Sequence, residues 1–283
     1  MSDNTTWQPN EHEKGVEGFY GKGVANYGEY HGGYLNFGLW TNGSKTYLEA
    51  AQNMVRMTAQ TLGLDEQSRV LDLACGMGPQ DIYLMQTVKP ARIDAVDVTL
   101  PHVVRSRERV AANHLEDRIT IHHGSAVDLP FPAHHFSHVM CIEGAEHFDT
   151  RERFLYEAKR VLKPGGVMVL TDYTLKRPLK NALERFAVGC ARRLWHVPEV
   201  NVITLDVFKA QLEGAGFKNI TFQEIGKDVL PGYYHEQMRL ATRKSMWQIR
   251  GWFIAIFGII IDWAVFKMYD WGMMEYTVVR AEA

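Results

Sequence analysis

The run Val70-Leu71-Asp72-Leu73-Ala74-Cys75-Gly76-Met77-Gly78 ends an apolar stretch in a Gly-x-Gly turn. Gly76 and Gly78 let the backbone turn tightly and approach a ligand where a Cβ would intrude. A second apolar stretch closes on Asp97, about twenty residues later, and an acid there can accept hydrogen bonds from both hydroxyls of a ribose. A dinucleotide site would need a third glycine, so that a helix N-terminus could meet a pyrophosphate. The chain has Pro79-Gln80-Asp81-Ile82 instead. Asp81 would repel a pyrophosphate, and together Asp72 and Asp81 favour a positively charged cofactor. Acid–base chemistry has its own candidates in Glu143-Gly144-Ala145-Glu146-His147-Phe148 and in Asp172-Tyr173. A histidine titrating near neutrality suits removal of a hydroxyl proton.

These groups need a frame. Five short apolar runs read as parallel strands: Val70–Leu73, Ile93–Val98, Ile119–His122, His138–Ile142 and Gly166–Asp172. Helical segments near 79–87, 101–114 and 150–161 separate them, with Asp149 and Glu152 as a capping box for the last. Ser44 reads as the N-cap of an earlier helix running to Leu62. A helix within 204–225, a strand at Ile220–Ile225 and a strand at Met274–Arg280 follow. Alternating strands and helices predict right-handed crossovers and a doubly wound, Rossmann-like α/β sheet of seven strands.

With Lys163-Pro164-Gly165-Gly166 ahead of the fifth strand, these residues resemble the class I S-adenosylmethionine-dependent methyltransferases. The resemblance runs from about residue 19 to 175, and loosely through the last strand. It implies an antiparallel seventh strand, a helical lid and S-adenosylmethionine as cofactor. It also implies one methyltransferase domain over 1–283. The core would lie at about 64–175, 204–226 and 271–283, and the lid or cap at about 1–43, 176–203 and 227–270. Carried over by position, Gly76 and Gly78 line the cofactor, Asp97 takes the ribose and Val98 packs on the adenine. Ser125 and Ala126 belong to the second cofactor loop, although many members have Asp where Ser125 stands. The Cys141 to Gly144 turn, including Glu143, would sit under the sulfonium. Tyr20 and Leu35-Asn36-Phe37-Gly38-Leu39-Trp40 match an entry segment that folds over the methionine end. Tyr20, Trp40 and Asp72 are therefore cofactor candidates as well.

For the chemistry, His147 stands where several O-methyltransferases carry a catalytic histidine, and Asp172 where its acidic companion lies. The string Glu146-His147-Phe148 is equally close to the Glu-His-Phe of cyclopropane synthases, where an alkene attacks and carboxylates attend the cation. Two branches stay open. One is O-methylation of a small, largely hydrophobic acceptor in specialised or lipid-like metabolism. The other is C-methylation of a prenyl diphosphate, terpenoid or sterol alkene, ending in proton loss or ring closure. A cofactor-binding protein without catalysis is a third, remoter class. Tyr30, Phe37, Trp195, Tyr233 and Trp247 are the aromatic candidates for the acceptor pocket.

Composition bounds the partners. The 283 residues are 46% hydrophobic with a formal net charge of −2, which offers no nucleic-acid footprint. Three cysteines without CxxC spacing fit reduced thiols in a cytoplasmic protein. His122-His123 and His134-His135 are adjacent pairs with diverging rings, so no metal site is expected. The apolar stretch from Gly251 to Ile261, continued by Trp263 to Phe266, falls short of the roughly 20 residues of a spanning helix. It reads as a buried helix, a lid or a homodimer contact. Lys176, Arg177, Lys180, Arg185, Arg192 and Arg193 crowd one lid segment with Leu179, Leu183, Phe186 and Leu194. That segment is open to three readings: a solvated face, a seat for an anionic substrate group, or a membrane-surface helix.

Overall fold

The computed structural model describes residues 7–21, 31–41, 43–241 and 252–283, without the side chains of 241, 252–258 and 261. Seven strands form one sheet: β1 (Arg69–Leu73), β2 (Arg92–Asp97), β3 (Ile119–His123), β4 (Phe136–Ile142), β5 (Leu162–Leu175), β6 (Lys218–Glu224) and β7 (Met274–Glu282). Their order is β3-β2-β1-β4-β5-β7-β6. The first five pair in parallel, whereas β7 runs antiparallel to both β5 and β6. The last strand thus slots between its two predecessors, in the seven-stranded arrangement the sequence predicts.

Alternate strand residues face opposite sides of the sheet. Val70, Ile93, Met140, Val169 and Val278 pack with α2 (Tyr47–Leu62), α3 (Pro79–Thr87) and α4 (Leu100–Ala112). Leu71, Val139, Met168, Leu170 and Val279 pack with α5 (Arg151–Val161) and α7 (Leu205–Gly214) on the other. Two covered faces explain why the strands read as unbroken apolar runs.

Helix starts depart from the reading in two places. The N-cap of α2 is Thr46, not Ser44. Glu49 lies three residues after Thr46 and closes a capping box with it, while the Ser44 hydroxyl donates to the Thr41 carbonyl at 2.6 Å. The N-cap of α5 is Thr150, without a side-chain bond. Asp149 instead accepts from Asn10 Nδ2 at 2.7 Å. The fifth strand also begins earlier than Gly166. Leu162 pairs with Phe136 and Val167 with His138, so Lys163-Pro164-Gly165-Gly166 forms a bulge inside β5.

Outside the sheet lie α1 (Glu11–Phe19), α6 (Ala182–Leu194), α8 (Gly226–Ala241) and α9 (Trp252–Asp270). The helix α1 has an Asn10–Glu13 capping box and only one buried residue, Val16. No helix among the described residues is long and apolar enough to cross a membrane. Three of the six basic residues in the segment 176–193 are ion-paired. Arg177 bonds Glu184 at 2.9 Å, Lys176 bonds Glu275 at 2.9 Å and Glu224 at 3.2 Å, and Arg192 bonds Glu199.

Candidate functional site

A cavity of about 500 Å³ opens at the carboxyl ends of the parallel strands, under α1 and the segment 33–37. Strand carboxyl ends are where open α/β sheets place their ligands. At one end lie Gly76, Asp97, Val98, Ser125 and Ala126. Gly76 has a left-handed φ of +54°, which turns its N–H onto Asp97 Oδ2 at 2.8 Å. Thr99 N donates to Asp97 Oδ1 at 2.8 Å, and His102 Nδ1 lies 3.7 Å from the same oxygen. Burial pushes the Asp97 carboxyl up, but His102 and the two amides outweigh it and hold the group ionised, below the ordinary carboxylate range. An ionised, buried carboxylate on a cavity wall beside the Gly76 turn can take a ribose diol.

At the other end, the turn after β4 carries Glu143, Glu146 and His147 into the wall. His147 is buried, and burial drives its pKa down to about 4, so the imidazole is neutral at pH 7. Its Nε2 hydrogen-bonds the Tyr20 hydroxyl at 2.7 Å, and its carbonyl oxygen bonds His12 Nε2 at 2.7 Å. Glu146 Oε1 lies 3.9 Å from the same Nε2, and Glu146 Oε2 is buried without a hydrogen-bond partner among the described residues. Burial, followed by repulsion from Asp172 and Glu143, holds Glu146 well above its ordinary range. Glu143 accepts from Phe37 N at 2.8 Å and from the Tyr276 hydroxyl at 2.5 Å. Burial pushes it up to about 8 despite those donors. Glu143 also has a positive φ of +53°, a strained conformation for a non-glycine residue.

Four aromatic rings close this end. Phe37 stacks on Tyr233 with centroids 3.9 Å apart and an interplanar angle of 1°. Trp195 meets Phe37 edge-on at 5.6 Å, and Tyr173 lies 5.7 Å from it. Tyr20, Phe37, Trp195 and Tyr233, picked out in the sequence, therefore reach one cavity with His147 and Glu146. Tyr30 and Trp247 lie outside the described residues.

Four expected site residues do not line the cavity. Asp72 is buried behind the glycine turn, its Oδ2 accepting from Gln80 Nε2 at 3.0 Å. Burial, then Asp81, raises Asp72 well above the usual range, and burial raises Asp81 to about 7. A like-charged buried pair of this kind keeps a proton, so it does not present two negative charges to a cofactor. Gly78 caps α3 with a φ of +71° and faces α4, where a Cβ would lie 2.1 Å from Ser106 Oγ. Trp40 turns away from the cavity, donating Nε1 to the Phe37 carbonyl at 2.9 Å and packing on Gly232 of α8. Asp172 is fully buried, its Oδ2 forming an ion pair with Arg151 at 2.8 Å and its Oδ1 accepting from Tyr173 N at 2.6 Å. Burial lifts its pKa to about 6 although Arg151 opposes this. Asp172 thus lies behind the cavity wall, bonded to the backbone of Tyr173, and does not itself line the cavity.

The structure adds His102, Thr99, Glu13 and Tyr276 to the site's surroundings. Only Glu13 had a readable signal, the Asn10-x-x-Glu13 capping pattern. Among the described residues no group of three His, Cys, Asp or Glu side chains could hold a metal ion.

The sheet order and the strand-end cavity define a Rossmann-like α/β enzyme fold. Residues 70–166 match the methyltransferase domain family. The chain is 34% identical over 218 residues to erythromycin 3''-O-methyltransferase of Saccharopolyspora erythraea, covering 76% of this chain and 71% of that protein. It is 29% identical over 227 residues to 27-O-demethylrifamycin SV methyltransferase of Amycolatopsis mediterranei, covering 80% of each. The cyclopropane synthase MmaA2 from Mycobacterium tuberculosis shares the fold, with a TM-score of 0.82 at 15% identity over 99% of this chain and 100% of that one. Geranyl diphosphate C-methyltransferase from Streptomyces coelicolor does so with a TM-score of 0.77 at 14% identity, over 98% and 99%. The chain belongs to the S-adenosylmethionine-dependent methyltransferases, and S-adenosylmethionine is its cofactor.

Proposed function

We propose that this enzyme methylates a hydroxyl group of a small, largely hydrophobic acceptor in specialised metabolism, with His147 as the base. The observation that carries the reading is the buried, neutral imidazole on the cavity wall, its Nε2 bonded to the Tyr20 hydroxyl at 2.7 Å. When bound, the cofactor supplies an electrophilic methyl group on a sulfonium centre. Gly76, Asp97, Val98, Ser125 and Ala126 would hold its nucleoside, and the Glu143 turn would face its methionine end. The acceptor oxygen gives its proton to the Tyr20 hydroxyl as the new C–O bond forms, and the tyrosine passes its own proton to His147 Nε2. A weakly basic imidazole suffices, because the hydroxyl grows acidic as that bond develops. The depressed pKa of His147 returns the proton readily once product leaves. Phe37, Tyr173, Trp195 and Tyr233 exclude water and hold the acceptor's apolar body. The similarity to the erythromycin and rifamycin O-methyltransferases supports a hydroxyl acceptor on a bulky natural product.

A second reading has its own observation, the unpartnered Oε2 of Glu146 beside the aromatic rings. Those groups suit C-methylation of an alkene, with the rings attending a carbocation beside Glu146. The test is S-adenosylhomocysteine release across hydroxylated macrolides, ansamycins, phenols and glycosides, set against sterols and prenyl diphosphates, with products identified by mass spectrometry. Turnover of a hydroxylated acceptor that collapses in His147→Ala supports the first reading. A methylated hydrocarbon skeleton supports the second.

A further inference from the structure

Ser125 stands where many relatives have an aspartate for the adenine amino group, and a hydroxyl is a weaker acceptor than a carboxylate. The structure shows how the hydroxyl is used. Ser125 Oγ donates to Glu13 Oε1 at 2.5 Å and accepts from Val127 N at 3.3 Å. Glu13 belongs to α1, on the far side of the cavity mouth, and its side chain lines the cavity at the same place as Ser125 and Ala126. Its second oxygen, Oε2, accepts from Asn10 N at 2.8 Å, so each carboxylate oxygen keeps a lone pair for a ligand. The helix that carries it is tied down by polar groups. Asn10 bonds Asp149, His12 bonds the His147 carbonyl, and Glu17 accepts from Leu100 N at 3.2 Å.

Resting on the placement of the nucleoside beside Asp97, Val98 and Ala126, we propose that Glu13 is the carboxylate that reads the adenine amino group. The acid absent from the loop after β3 is supplied by the lid, and Ser125 positions it. Cofactor selection and seating of α1 then become one event, because the residue that recognises the base also holds the helix over it.

The test is calorimetric titration with S-adenosylhomocysteine and with S-inosylhomocysteine, which has a carbonyl oxygen where adenine has its amino group. The wild-type chain prefers the adenosyl ligand by about tenfold or more, the usual range for a hydrogen bond to a charged group. Glu13→Gln reduces that preference to within about threefold, because an amide can face either ligand edge. Glu13→Ala loses it too, and adding Ser125→Asp to Glu13→Ala restores it from the loop side. A Glu13→Gln protein that keeps the wild-type preference overturns the role of Glu13 and leaves the cofactor assignment standing. A wild-type chain that binds neither ligand overturns the nucleoside placement itself.

Discussion

The two ends of the cavity are built differently. At the Asp97 end, backbone amides of Gly76 and Thr99 fix Asp97, and Gly76, Asp97, Val98, Ser125 and Ala126 project from strand ends or the turns that follow them, joined there by Glu13 of α1. At the acceptor end, Tyr20, Phe37, Trp195 and Tyr233 come from three separate excursions outside the sheet and meet His147 there. The first is held by the sheet's own hydrogen bonding, the second by side chains from segments far apart in the chain. The cofactor end should therefore tolerate little change in chemistry, and the acceptor end should tolerate change in shape while the reaction survives. Substitutions at each end should separate cofactor affinity from acceptor handling.

The largest separation is expected from His147→Ala. Its kcat should fall about 10²- to 10⁴-fold, the usual contribution of a positioned base, with S-adenosylhomocysteine affinity within about twofold of wild type. Equal losses in both would dissolve the distinction between the ends. Behind the acceptor wall, Arg151→Met should cost about 3 kcal/mol in urea denaturation, near the low end for a broken buried pair, because Asp172 can take up a proton once its partner is gone. Adding Asp172→Asn should recover much of that loss. Asp97→Asn should weaken S-adenosylhomocysteine binding about 10- to 100-fold and leave the acceptor KM unchanged at saturating cofactor. An acceptor KM that moves in step would mean the ends are coupled.

The smallest effect is a pH dependence. Glu143 is held at about 8 against an ordinary 4.5, so the folded chain keeps a proton that the unfolded chain loses. Its contribution is fully present below pH 4.5 and is lost as pH rises through 8. His147 runs the other way: with its folded pKa near 4, its contribution is present above 6.5 and lost as pH falls toward 4. In ligand-free protein, Glu143→Gln should raise Tm by a few degrees at pH 8 to 9 and by less at pH 5. A shift that is the same at both pH values would assign the effect to packing alone.

The cofactor end was legible because its signals are local. A Gly-x-Gly turn and an acid at the next strand's end act through their own backbone, so type and spacing suffice. Even so, spacing does not say which way a side chain points. Asp72 and Gly78 belong to the right turn but face Gln80 and Ser106 rather than the cavity. Asp172 lies inside β5, which runs on to Leu175 rather than ending there, and meets a buried arginine that no pattern linked to it. Trp40 belongs to the expected entry segment but turns toward α8. At the acceptor end, the Glu143–Tyr276 bond joins residues 133 apart in sequence, and only the antiparallel insertion of β7 brings them together.

That insertion sets an order of assembly. β5 and β6 are never neighbours in the sheet; each pairs with β7, which is synthesised after both. Until β7 emerges from the ribosome, β6 has no partner and Glu143 lacks the tyrosine that steadies it. The parallel half, with its nearer crossovers, can close earlier, since shorter-range contacts form with less loss of chain entropy. A growing chain thus has a nucleoside-binding face before it has a reaction chamber, and bound cofactor could act as a folding template for the half still to come.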